Sequence, residues 1–100
     1  MKKNLKEETL KKLSEYGLNW SDVAWISIKN KEVNKDVFLK LADKEYDNDY
    51  GDTRVNLYLI IMGADWWLER VEYDGSEYWT FKKIPMKPIE IENAPKIFVK

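Results

Sequence analysis

Leu5, Thr9, Leu13 and Tyr16 recur at helical spacing, and Leu10 widens the stripe they form. Asn4-Leu5-Lys6-Glu7 has the spacing of an N-cap followed by a capping-box glutamate, and Gly17 stands where a helix closes. The pattern predicts a helix over Leu5 to Tyr16 with a lysine and glutamate outer face, lying on one side of a sheet. From Val23 to Lys29 the period changes to two, with Ala24, Ile26 and Ile28 facing the core and Trp25 on the other side. A second helix is expected to start at Asn34 or Lys35, with Val37, Phe38, Leu41 and Glu45 on one face. It gives way to the polar run Asp47-Asn48-Asp49-Tyr50-Gly51-Asp52.

Arg54 to Met62 reads as a strand that is apolar on both faces: Val55, Leu57, Leu59 and Ile61 against Tyr58, Ile60 and Met62. Such a strand belongs at the centre of a sheet. Trp66 to Phe81 then places two aromatic-rich runs around Asp74-Gly75, a strong local signal for a β-hairpin. Two registers compete. A two-residue Asp-Gly turn pairs Arg70 with Trp79 and permits a cation–π contact, but sets Glu72 opposite Glu77. A three-residue loop with a glycine bulge avoids that clash and gathers Trp67, Val71, Trp79 and Phe81 on one face. The pattern favours the bulged form. Pro85 and Pro88 interrupt pairing after Lys83, and Lys96 to Val99 has the character of a returning edge strand.

These elements predict one α+β domain over residues 1–100, an antiparallel sheet in meander order packed against two α-helices. No apolar run approaches the roughly 20 residues that span a bilayer, and no hydrophobic leader follows Met1. The expectation is a cytoplasmic protein with no membrane contact.

Histidine and cysteine are both absent. Disulfides, zinc fingers, thiol nucleophiles and Ser-His-Asp or Cys-His triads are therefore excluded, and the usual base near neutral pH is missing. The reading is of a protein that is not an enzyme and carries no cofactor or metal. The acidic loop offers hard oxygen ligands in Asp47, Asp49 and Asp52 but fails the calcium-loop pattern, because Tyr58 falls where a glutamate is needed. Glu69, Glu72 and Glu77 could pair as acid and base in a tryptophan-lined cleft. Hairpin glutamates are more commonly exposed partners of lysine and arginine.

The net charge of −1 conceals an uneven distribution. Asp43 to Glu77 holds ten acids against three bases, while lysines gather towards both ends of the chain. Acids interleaved with the hairpin aromatics disfavour nucleic-acid binding there. They suit a basic protein surface instead: Tyr46, Tyr50, Tyr73 and Tyr78 lie in or beside the acidic segment, and tyrosine is enriched at interface hot spots.

Trp66-Trp67-Leu68-Glu69-Arg70, then Glu72-Tyr73-Asp74-Gly75-Ser76-Glu77-Tyr78-Trp79 and Pro85, resembles small accessory proteins of phages and prophages of Gram-positive bacteria. Phe38-Leu39, Ala42-Asp43, Glu45-Tyr46-Asp47 and Tyr50-Gly51 fit the same likeness, which covers roughly Asn19 to Pro88. The resemblance brings no functional residues with it. It implies genomic company in which small acidic proteins bind and inhibit host proteins, including defence nucleases, as anti-CRISPR proteins do.

The expected function is a non-catalytic, phage-type inhibitor of a host protein with a basic surface. Its expected partner contacts are Asp47, Asp49, Tyr50, Asp52, Glu69, Glu72 and Glu77. One alternative is a protein sequestering a nucleotide or sugar in a tryptophan-lined pocket; another is a self-associating structural component forming a homodimer.

Overall fold

A computed structural model describes residues 2–49 and 51–100 of the chain. Strand β1 (Lys2–Asn4) leads into helix α1 (Leu5–Glu15). The Asn4 side chain accepts the Glu7 N–H at the start of α1, and Gly17 adopts φ 71° just beyond its end. A short 3-10 helix at Trp20–Asp22 precedes β2 (Trp25–Ile28) and β3 (Lys31–Val33). Helix α2 (Lys35–Ala42) follows, capped by Asn34, whose side chain accepts from the N–H groups of Asp36 and Val37. The chain continues through β4 (Glu45–Asp47), β5 (Leu59–Met62), β6 (Trp66–Tyr73) and β7 (Ser76–Lys83).

Five strands form an antiparallel sheet in the order β3-β2-β5-β6-β7, and β1 pairs with β4 in a separate two-stranded ladder. The α+β class expected from the sequence is thus the observed one. One row across the sheet, Ile26–Ile61–Leu68–Phe81, faces the helices. Leu13 of α1 and Phe38 and Ala42 of α2 join Ile26, Ile61 and Leu68 in a single buried core. Tyr16, Phe81 and Trp66 stack in series beside it, with centroids 3.8 and 5.9 Å apart. Trp66 lies over Gly63 so closely that a Cβ there would come within 2.0 Å of its ring.

The opposite face carries the row Trp25–Met62–Trp67–Lys82 and is only partly covered. β5 is central, as expected, yet its second face is half-buried and no helix of the core sits on it.

Several expectations are corrected. The hairpin closes with the two-residue turn: Tyr73 pairs with Ser76, and Asp74 and Gly75 take φ 52° and 84°. Both central residues have positive φ, which matches the twist of the flanking strands. Trp67 and Val71 therefore lie on the face opposite Trp79 and Phe81. Residues 54–58 are not strand, because the N–H groups of Arg54 and Val55 go to the Glu77 carboxylate and Asn56 turns the chain by accepting from Tyr58 N. In α2 the buried positions are Phe38 and Ala42, while Val37 and Leu41 are exposed. Residues 84–100 form no strand, so the edge strand expected at Lys96 to Val99 is absent, and that whole segment is exposed.

Candidate functional site

Arg70 sits on β6 with its side chain fully withdrawn from water. Its Nη1 lies 3.2 Å from Glu8 Oε2 of α1, and its Nη2 donates to Tyr46 Oη of β4 at 3.0 Å and to Glu77 Oε1 of β7 at 3.2 Å. The Tyr46 hydroxyl donates to Glu8 in turn. Trp79 stands directly across the hairpin from Arg70, with its ring 4.9 Å from the guanidinium. The Trp79 indole N–H then donates to Thr9 Oγ1 at 2.9 Å, and the Thr9 hydroxyl donates to the Leu5 carbonyl at 2.7 Å. One buried cation thus ties together the first helix, the small ladder and both hairpin strands.

Glu77 has a second task. Its two oxygens accept the backbone N–H groups of Arg54 and Val55 at 2.7 and 2.9 Å. It therefore stands in for a β-partner and holds the irregular segment before β5 against the hairpin. Its N–H also donates to the Asn48 carbonyl at 3.0 Å. The expected clash with Glu72 is resolved by turning the two carboxylates to different donors: Glu77 goes inward to Arg70, and Glu72 accepts the Gly75 N–H at 3.0 Å. Two carboxylates thus surround one guanidinium. Burial and the Glu8 hydrogen bond push the Tyr46 hydroxyl well above the ordinary tyrosine range.

The sequence-predicted contact residues are not one patch. Glu77 is 3% exposed and committed to the interior, so it contributes to the scaffold rather than to an accessible acidic surface. Glu69 lies on the sheet face opposite Glu72. There it accepts the Trp67 indole N–H at 2.7 Å and pairs with Lys82 at 3.6 Å. Acid–base pairing of Glu69 with Glu72 or Glu77 is therefore ruled out by their placement. Tyr50 lies outside the described residues.

Asp49, by contrast, is brought to the hairpin tip, where its Oδ1 accepts the Ser76 hydroxyl at 2.9 Å. Asp47 lies just before it and accepts the Asp49 N–H at 3.0 Å, a bond that lowers the Asp47 pKa below its ordinary value. Glu72, Tyr73 and Asp74 complete the tip, all exposed, with Tyr73 at 72%. Asp52 is exposed further along the same loop. Among the described residues, no group of three or more acids is arranged to hold a metal ion, and no helix is long and apolar enough to cross a membrane.

Sequence reasoning missed Arg70, Glu8, Thr9 and Tyr46 as a unit. The available signal was the buried-face register of Arg70, two residues from Leu68 on an otherwise apolar face. No family model matches the chain, and no curated protein or solved structure matches it.

Proposed function

We propose that this chain is a non-catalytic interaction protein that seats its hairpin tip on a basic protein surface. The observation that carries the reading is Tyr73, 72% exposed at a turn between Glu72 and Asp74, with Asp49 fastened alongside through Ser76. An amphipathic ring amid carboxylates has the makeup of an interface anchor, with the acids steering a basic partner. The tip is also rigidly supported: Glu77, three residues beyond Asp74, is bonded to Arg70, to the 54–55 amides and, through its own N–H, to Asn48. A surface already held in one conformation loses little entropy on binding.

The partner we infer is a host protein, such as a defence nuclease, that the chain inhibits by occupying a basic groove. Two things support this: the acidic tip and the resemblance of the hairpin to small phage accessory proteins. Of the expected contacts, Asp47, Asp49 and Glu72 belong to this surface, joined by Tyr73 and Asp74. Glu69 and Glu77 do not. Asp52 is exposed further along the Asp49 loop.

The test is affinity capture from a Gram-positive host lysate at low and at moderate salt, with mass spectrometry of what is retained. A single basic protein held at low salt and released as salt rises supports the reading. Capture of no specific partner at either salt contradicts it.

A further inference from the structure

Helix α2, β4 and the 54–56 segment enclose a cavity of about 510 Å3, within the range of small-ligand sites. Ile28, Val33, Phe38, Ala42, Val55 and Leu59 form apolar walls, and the last four are buried. Lys44, Glu45 and Arg54 also line it, and all three are exposed, so the charged groups mark the open end. The lining contains no tryptophan, which separates this site from the tryptophan-lined pocket considered from the sequence.

Two features make this a built site rather than a gap in packing. The wall at Arg54 and Val55 is fixed through its backbone by the Glu77 carboxylate. The wall at Tyr46 is fixed by its bonds to Glu8 and Arg70. The buried ion centre therefore fixes two of the walls around this space. At the open end, Lys44 and Arg54 outnumber the one acid of the lining, Glu45. None of the ion pairs found among the described residues engages Lys44 Nζ. The Arg54 guanidinium is near enough to Asp47 to add to the effect of the Asp49 N–H in lowering that carboxyl's pKa, so it also faces one acid from outside the lining.

We propose that this cavity binds an apolar organic carboxylate, its hydrocarbon part against Phe38, Val33 and Leu59 and its anionic group at Lys44 and Arg54. The site shares no residue with the acidic tip and stands whether or not the tip binds a protein. A buried apolar chain supplies affinity by leaving water, while the guanidinium and ammonium select a carboxylate over a neutral head.

Isothermal titration calorimetry of the full chain with decanoate and, separately, with decanol tests this. Decanoate should bind saturably at one site and at least about tenfold more tightly than decanol, the factor expected of a charge-assisted contact. Lys44→Gln with Arg54→Gln should abolish that preference without changing the circular dichroism, since both side chains are exposed and the Arg54 N–H bond is retained. Val33→Phe should weaken both ligands by filling the cavity; should that variant fail to fold, the charge variants still decide. Absence of saturable decanoate binding, equal affinity for decanol, or a preference that survives the double charge variant would each overturn the proposal.

Discussion

Arg70 and Glu77 meet diagonally across the hairpin, Nη2 to Oε1 at 3.2 Å, with both side chains almost wholly removed from water. Removing two charges from water is expensive, and their attraction offsets that cost only where the remaining donors and acceptors are satisfied. Here most are: Glu77 takes two backbone N–H groups, and Arg70 reaches Glu8 and Tyr46 as well. The Arg70 Nε–H is buried with no hydrogen-bond partner among the described residues, so the set is not fully satisfied. Breaking the pair from one side should therefore hurt more than its net contribution suggests. Arg70→Met leaves Glu8 and Glu77 uncompensated and should cost about 3–5 kcal/mol by urea denaturation. Adding Glu77→Gln to it should cost less than the sum of the two single changes. Additive losses would show that the two residues act independently.

Tyr46 gives the same centre a pH signature. Its folded pKa is raised above the ordinary tyrosine value, so folding favours the protonated hydroxyl. The unfolded chain gives up that proton first, so this contribution is complete below about pH 10 and is lost as pH rises towards the folded pKa. Tyr46→Phe should lower stability at pH 7 by about 1–3 kcal/mol, since Arg70 and Glu8 each lose a partner. The gap between the two proteins should then narrow above about pH 10. A gap constant with pH would contradict the assignment.

The hairpin turn offers a local test. Gly75 sits at φ 84°, where a Cβ is strained, so Gly75→Ala should destabilise by about 1–2 kcal/mol. Asp74→Asn keeps a residue tolerant of positive φ and should fall within about 0.5 kcal/mol of the parent. Equal effects at the two positions would indicate a different turn.

The hairpin itself was legible because Asp74-Gly75 between aromatic runs is a signal carried by adjacent residues. The cap at Asn4 was legible for the same reason, as was the start of the second helix at Asn34 or Lys35, though not the Asn34 cap itself. The register was not. Local reasoning saw Glu72 facing Glu77 and preferred a bulge, whereas Glu77 is satisfied by Arg70 and by amides 22 and 23 residues away. The same long-range bonds take residues 54–55 out of the expected strand. The ladder of β1 with β4 was also hidden, because each partner is three residues long and its pairing spans more than forty residues of chain. Half of the acidic site was visible as composition. Its division into a tip, an interior carboxylate and a residue on the far face follows from register alone.

Charge reversal at the tip addresses the functional reading most directly. Glu72→Lys combined with Asp74→Lys changes two exposed side chains and leaves the Arg70–Glu77 centre intact. Glu72→Lys gives up the bond to the Gly75 N–H, and Asp74→Lys places a less tolerant residue at φ 52°. The variant should therefore lose about 1–2 kcal/mol, and circular dichroism checks its fold before binding is measured. The decisive measurement is the affinity of the captured basic partner for the parent and for this variant, taken at two salt concentrations. At least about a hundredfold weaker binding is expected for the variant, with a much reduced salt dependence. Unchanged affinity in a folded variant would contradict the tip as the contact surface.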